Sequence, residues 1–386
     1  RICVRYECVP MRFIKHVYRI HTYAQDGRLF EGKTPVSAFL NSSYDGSFIA
    51  GLMELRYIQS LPVERIINYF ESHGFTLKKP TAHKLMEKAS SLFENLYKCI
   101  RQTALSDPYK AADETYYKIL VPEKNSKGKG FRKGYLWVVV GINTRMIYLL
   151  YDDGSRSEKV ILNELGGCKG IIQSDGYSPY RKLESDAYPH ITRIPCLQHI
   201  KRKFIDCGED EPDAKRIVEL INTLYQNEHK HKIGVDGWTV EQNLVHRKKY
   251  APDILGEIKD VLDDIEERGD LLPKSELKEA VTYLRNEWNA VVDIFNYGDT
   301  YLDNNIVERM NRYISLSRKN SLFFGSHKGA ERGAILYTIA LTCRMNKVNL
   351  FEYLTDVINR TAEWQPNTPL EKYRQLLPDR WEKAND

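Results

Sequence analysis

Leu136-Trp137-Val138-Val139-Val140-Gly141-Ile142-Asn143-Thr144-Arg145-Met146-Ile147-Tyr148-Leu149-Leu150 reads as two apolar, β-branched runs broken by a short polar turn. Such runs favour strands, and Asn143-Thr144 is placed to turn a hairpin. Working outward, Tyr116 to Val121 is the preceding strand, Ser157 to Leu165 a helix, and Ile171-Ile172-Gln173-Ser174 and His190 to Ile194 two further strands. Hairpin, helix, strand, helix, strand predicts an α/β fold: a mixed sheet with covering helices over 105-207.

Helical periodicity takes over on both sides. Residues 208-298 carry three apolar stripes: Ile217, Leu220, Ile221 and Leu224; Ile254, Ile258, Val261, Leu262 and Ile265; and Leu277, Val281, Leu284, Trp288, Val291 and Phe295. They predict a small helical bundle inserted between two parts of the α/β domain, 105-207 and 299-360. A last helix pair is expected over Ala334 to Ile358, followed by a polar tail, 361-386, holding Trp364 and Trp381. Upstream, 46-104 reads as helical with a helix-turn-helix outline. Pro62 fits a first helical turn, Ile66, Ile67 and Phe70 share a face, His73-Gly74-Phe75 breaks the helix and Thr81 can cap the next. Leu85 and Met86 would then point inward, with His83, Lys84 and Lys88 outward toward DNA.

Residues 1-45 alternate in places, as in Met11 to Tyr18, which predicts short strands. Cys3, Cys8, His16 and His21 resemble zinc ligands. Only seven residues separate Cys8 from His16, though, where roughly twelve or more are usual, so the set reads as degenerate and a structural zinc as doubtful. The chain opens on Arg1 in mid-pattern, and an N-terminal truncation or processing is expected.

At 386 residues the chain exceeds the usual size of one core. Its seven cysteines lack paired spacing, which speaks against a disulfide framework and for a reducing compartment. No long apolar run or signal peptide is visible, so a cytosolic location and no membrane partner are expected. The net charge of +5 is modest but uneven. Between Tyr301 and Gly333 the bases Arg309, Arg312, Arg318, Lys319, Lys328 and Arg332 outnumber Asp303, Glu308 and Glu331, and Lys124 to Lys133 is basic too. Residues Pro252 to Ala280 carry ten carboxylates against four bases. Such segregation favours a polyanionic partner.

Within this setting Asp113, Asp175 and Glu308 are the candidate metal ligands. Magnesium takes hard oxygen ligands and keeps much of its water, so a few carboxylates plus substrate phosphate complete a site. Two ions roughly 4 Å apart can serve in-line phosphoryl transfer. Asp113 and Glu114 point to opposite sides of a strand, and Asp113 is preferred; Asp175 precedes Gly176-Tyr177 at the carboxyl end of a strand, where open α/β sheets gather ligands. Asp152 and Asp153 look like exposed hairpin-end residues. Asp303 can cap the helix of Glu308, whose ordinary role would be an ion pair with Arg312 one turn on. Around these acids His199, Arg202, Lys203, Arg309, Arg312, Arg318, Lys319, Asn320 and Lys328 suit phosphate contact. Gly325-Ser326 and Gly329 could bring backbone amides to a phosphate, Phe323 and Phe324 could stack on unpaired bases, and Trp137 reads as core. Cys196 and His199 have half of a zinc-like spacing, and a packed cysteine is favoured.

From about Gly46 to Ile358 the chain resembles transposases of the DDE type, most closely the insertion sequence sixty-six family. The likeness rests on Ala112-Asp113-Glu114-Thr115, Gly134-Tyr135-Leu136-Trp137, Asp175-Gly176-Tyr177 with Tyr180, Cys196-Leu197-Gln198-His199, and Asp303-Asn304-Asn305 with Glu308-Arg309. Arg318-Lys319-Asn320, Leu322-Phe323, Gly325-Ser326 and Tyr353-Leu354 add to it. The resemblance implies a ribonuclease-H-like domain interrupted by a helical insertion, with Asp113, Asp175 and Glu308 holding Mg2+, for which Mn2+ can substitute. It implies cleavage of element ends and attack of the freed 3′-hydroxyl on target DNA, in a homodimer or higher multimer of a bacterial, nucleoid-associated protein. A nuclease or resolvase on the same scaffold, or an inactive DNA-binding regulator, is the alternative.

Overall fold

The computed structural model describes all residues except 1–4, 9, 34, 36, 40, 41, 124–127, 129, 270, 366 and 384–386. Its first element is an exposed hairpin, β1 (Thr22–Gln25) and β2 (Arg28–Glu31), turned by Asp26 and Gly27, both at positive φ, as a two-residue Asp-Gly turn requires. Residues 11–18, expected as strands, form none. Phe13 instead packs into an aromatic cluster with Phe48, Phe70 and Phe75, and side-chain burial rather than strand pairing organises the segment.

Four helices follow: α1 (Gly46–Tyr57), α2 (Val63–Ser72), α3 (Lys79–Leu92) and α4 (Glu94–Ser106). Ile66 and Phe70 of α2 and Leu85 and Met86 of α3 are buried, as their spacing predicts. The cap of α3 differs: it begins at Lys79 with Pro80 in its first turn, and Thr81 lies inside, because proline's fixed φ nucleates the helix earlier.

The central sheet runs β5-β4-β3-β6-β7, with β8 added beside β3. Its strands are β3 (Tyr109–Leu120), β4 (Phe131–Gly141), β5 (Met146–Leu150), β6 (Gly170–Ser174), β7 (Ile191–Pro195) and the two-residue β8 (Phe323–Phe324). The first three form an antiparallel meander, while β6 and β7 run parallel to β3. The hairpin expected around Asn143 is present. The strand expected over 116–121 starts at Tyr109, so Asp113 lies inside it rather than at its border. Crossing connections α5 (Glu158–Leu165) and α6 (Ser178–Arg181) join the later strands, and Gly170 enters β6 at φ +89°. A Cβ there would sit 2.2 Å from the Pro108 carbonyl oxygen. Gly170→Ala is therefore expected to cost on the order of 2 kcal/mol or more, read as a lowered urea midpoint; an unchanged midpoint would refute the strain.

Beyond β7 come α7 (Leu197–Ile205), α8 (Pro212–Glu228), α9 (Val240–Arg268) and α10 (Glu276–Ile294). Their stripes form a second apolar core that also takes Tyr109, Ile171 and Ile194 from the sheet. Thr239 and Gln242 form a capping box for α9, and Gly269, left-handed, ends it. Arg193 of β7, fully buried, pairs with Glu287 of α10 and with Glu184, and so fastens the helices to the sheet.

The chain then returns through α11 (Asn305–Asn320), α12 (His327–Met345) and α13 (Leu350–Thr361). α12 covers β5, where Thr338 and Thr342 accept from the backbone amides of Leu149 and Ile147. The first core unites this face of the sheet with α1 to α4, α12 and α13. The tail is less free than its polarity predicts: Trp364 packs edge-on against Tyr373, and Trp381 donates to Asp356 on α13 at 2.7 Å. Among the described residues no helix is long and apolar enough to cross a membrane.

Candidate active site at the ends of the central strands

Parallel register sets Ala111 of β3 opposite Gln173 of β6. Two residues on from this pair stand Asp113, inside β3, and Asp175, the first residue past the carboxyl end of β6, so the register brings the two carboxylates level with each other. Asp113 is half-buried; its Oδ1 accepts from the Glu114 amide at 2.8 Å and its Oδ2 from Asn311 Nδ2 at 2.6 Å. Burial, then the neighbouring charges of Glu114 and Asp175, push its carboxyl up to about 8. Asp175 Oδ1 accepts from the Tyr177 amide at 3.1 Å, which holds the tight turn after β6.

Glu308 arrives on α11, which is tied to β3 at two points. Asn304, just before the helix, donates to the Ala112 carbonyl at 2.9 Å, and Asn311 reaches Asp113. Glu308 lies between these ties and one turn from Asn311, on the same helix face. The expected pair with Arg312 is absent among the described residues. Glu308 Oε1 instead faces His199 Nδ1 of α7 at 3.7 Å, with Cys196 Sγ close by; the three donor atoms lie within 4.8 Å of one another. Asn304 holds the N-cap position of α11 without a side-chain cap bond, and Asp303, one residue earlier, accepts the Asn305 amide, the first of the helix, at 3.1 Å. Asp113 and Asp175 lie close enough for the charge of one to raise the carboxyl of the other, and α11 holds Glu308 on the same side of β3. The tight group of potential ligands among the described residues is instead Cys196, His199 and Glu308.

Beside Asp175 opens a cavity of about 260 Å³ lined by Arg156, Tyr177, His199, Arg202, Lys203 and Tyr283, among others. Three of the sequence-predicted phosphate contacts, His199, Arg202 and Lys203, therefore gather at one carboxylate. The others do not join them there. Arg309, Arg312, Lys319 and Lys328 are exposed along α11 and α12. Arg318 is occupied within the fold, donating to the Tyr116 carbonyl and lying 3.9 Å from the centre of the Tyr116 ring, and Asn320 donates to the Ser60 carbonyl at 3.1 Å. Phe324 is core against Tyr117, while Phe323 is exposed; Trp137 is fully buried as expected. The Gly329 amide is taken by the Ser326 side chain, which caps α12, because a helix start satisfies its own donors first.

Glu114, the rejected neighbour of Asp113, is held by Arg156 at 3.0 Å and by the Tyr180 hydroxyl at 3.3 Å. Asp153 pairs with Arg132 and His327 at the outer hairpin end. Cys8, His16 and His21 are exposed and take part in no potential metal group among the described residues, and Cys3 lies outside those residues. So do Lys124 and its neighbours to 127.

Sequence reasoning missed Asn311, Tyr283, Arg156 and Arg193. Asn311 carried a signal, three residues past Glu308 on the same face. Tyr283 carried none: it comes from α10, where its hydroxyl accepts from the Gly176 amide at 2.8 Å, and a Cβ on Gly176 would strike its ring. Arg193 Nη1 donates to the Asp175 carbonyl at 3.1 Å, so one buried guanidinium braces both the bundle and the turn that carries Asp175.

A mixed α/β sheet with two neighbouring aspartates and a cavity lined by Arg156, Arg202 and Lys203 beside one of them defines a class to which comparison gives a family. Residues 41–332, about three quarters of the chain, match the family described as Transposase IS66 family. The chain belongs to that family. It is also similar to three proteins of Sinorhizobium fredii (strain NBRC 101917 / NGR234), each named only as uncharacterized: y4jD, 25% identical over 86% of this chain and 65% of that protein; y4hP, 24% identical over 98% and 70%; and y4qI, 26% identical over 95% and 69%. The chain spans about two thirds of the length of these relatives.

Proposed function

We propose that this chain is the catalytic part of a DNA transposase that cleaves the ends of an insertion sequence and joins the resulting 3′-hydroxyl to target DNA. The observation that carries the reading is the double tie of α11 to β3 through Asn304 and Asn311, which holds the helix of Glu308 against the strand of Asp113. The sheet order, with its antiparallel meander followed by parallel strands, supports a ribonuclease-H-like catalytic domain, 105-207 with 299-360. The helices of 208-298 are then its insertion, and 46-104 its DNA-binding region.

The acids fit a hard divalent cation. Buried Glu308 Oε1, Asn304 Oδ1 and Asn311 Oδ1 have no hydrogen-bond partner, which is costly unless a cation or its hydration shell faces them. Asp113, Asp175 and Glu308 would hold Mg2+, with Mn2+ as a substitute. Bound there, such ions supply charge neutralisation and an activated oxygen nucleophile for in-line phosphoryl transfer. The chain's own part is positioning. Asn311 fixes Asp113, Arg193 and Tyr283 fix the turn of Asp175, and His199, Arg202 and Lys203 hold phosphate at the cavity. Arg309, Arg312, Lys319 and Lys328 extend the basic track for DNA outward. Pairing two element ends calls for a homodimer or higher multimer.

The test is incubation of pre-cleaved end DNA and a plasmid target with Mg2+. Joined products are expected. Hydrolysis without joining would assign a nuclease or resolvase, and specific binding without turnover a regulator.

The burial of Asp113, reinforced by the neighbouring acids, also sets a pH dependence. The Asp113 carboxyl titrates near 8 when folded against an ordinary 3.8, so from about 4 to 8 the unfolded chain has lost a proton that the folded chain keeps. In chelator, stability therefore falls as pH rises through that window, by up to about 1.4 kcal/mol per pH unit before solvent screening is discounted. Asp113→Asn is expected to flatten this slope and raise the melting temperature at pH 8 in chelator. An Asn variant melting lower than the parent at every pH would contradict it.

A further inference from the structure

Cys196 caps α7 and His199 lies one turn into it, while Glu308 faces them from α11. Cys196 Sγ is buried and accepts the Asn304 amide at 3.2 Å, with the amides of His199 and Gln198 also directed at it. His199 Nδ1 and Glu308 Oε1 point at each other at 3.7 Å, outside hydrogen-bond reach, and each is a buried atom without a hydrogen-bond partner. One thiol, one imidazole and one carboxylate within 4.8 Å form a donor set of a different kind from the carboxylates alone. Zinc bonds of about 2.0 to 2.3 Å in tetrahedral geometry put ligand atoms roughly 3.3 to 3.7 Å apart. The His–Glu pair already has that spacing. The remaining separations, at most 4.8 Å, close by roughly 1 to 1.5 Å at most, a shift open to the half-buried side chains of His199 and Glu308. His199 also lines the cavity beside Asp175, which gives an ion a path from solvent. Thiolate and imidazole favour zinc-like ions, and magnesium avoids them.

We propose that Cys196, His199 and Glu308 form a second cation site, selective for Zn2+ over Mg2+, and that filling it withdraws Glu308 from Asp113 and Asp175 and so arrests the enzyme. Coordination replaces the thiol proton, which leaves to solvent, and three protein ligands keep a fourth position for water. The arrest rests on the catalytic reading of Glu308; the binding site does not.

The experiment titrates the metal-free full chain with Co2+ alone as a spectroscopic stand-in for zinc. Expected is one saturable site with tetrahedral absorption and a thiolate-to-cobalt charge-transfer band, displaced by Zn2+ and not by excess Mg2+. Cys196→Ser, which keeps an acceptor for the Asn304 amide, is expected to lose the band and to weaken binding at least about tenfold. Glu308→Gln, at a half-buried position where misfolding is a lesser risk, is expected to keep the band and weaken binding similarly. No saturable binding, or a band that survives Cys196→Ser, overturns the site. In Mg2+-supported joining, micromolar Zn2+ is expected to inhibit the parent and to inhibit Cys196→Ser at least about tenfold less. Equal inhibition of both overturns the switch. Should the chain join no DNA at all, the catalytic reading fails while the cobalt spectrum still decides the site.

Discussion

Glu308→Gln is expected to reduce Mg2+-dependent end cleavage and joining by roughly a thousandfold or more, an effect of about 4 kcal/mol on the transition state. The swap preserves shape and helix propensity but removes a charged oxygen ligand. Its structural cost is small, because the Glu308 side chain makes no hydrogen bond among the described residues and faces the His199 ring at 3.7 Å. Asp113→Asn and Asp175→Asn are expected to match it in rate. Binding to end DNA should persist in all three, since exposed bases such as Arg309, Arg312 and Lys319 carry that term. Gel-shift titration beside a cleavage time course separates the two. A variant that cleaves at the parental rate removes its residue from the set.

Arg193→Leu is expected to destabilise the protein by about 3 to 5 kcal/mol, because it leaves Glu287, itself almost fully buried, with only the more distant Arg181 guanidinium at 3.9 Å. The damage should reach the site, since the same guanidinium donates to the Asp175 carbonyl, and α10 carries the Tyr283 hydroxyl that receives the Gly176 amide. Adding Glu287→Leu should recover part of the stability, as apolar replacement of a whole buried pair is often tolerated. Urea denaturation of the two variants measures both effects. If Arg193→Leu unfolds at the parental midpoint, the clamp between bundle and sheet carries no weight.

The hairpin of residues 136–150 was legible because β-branched runs around a polar turn have few alternatives, and the three stripes of 208-298 were legible because burial enforces a helical period. The start of β3 was not. Tyr109-Lys110-Ala111-Ala112 has little β propensity, and Lys110 looks like a surface residue, yet it is fully buried with its ammonium donating to the Lys169 carbonyl at 2.8 Å. Tertiary hydrogen bonding overrides local preference there, and it moved Asp113 from the edge of a strand into its interior. The N-terminal alternation misled for the opposite reason, since no partner strand exists for it among the described residues and Phe13 finds an aromatic cluster instead. At the site, residue types and order singled out three acids as candidates, but no spacing could tell that Glu308 would face His199 rather than Arg312. That pairing depends on how α7 meets α11.

The central claim is that Asp113, Asp175 and Glu308 form one cation-binding cage. Anomalous diffraction from crystals soaked in Mn2+, ideally with end DNA bound, tests it most directly. The account expects a peak coordinated by oxygens of Asp113 and Asp175, with Glu308 completing the same or an adjacent ion. Manganese at full occupancy elsewhere, with those three carboxylates bare and apart, would contradict it.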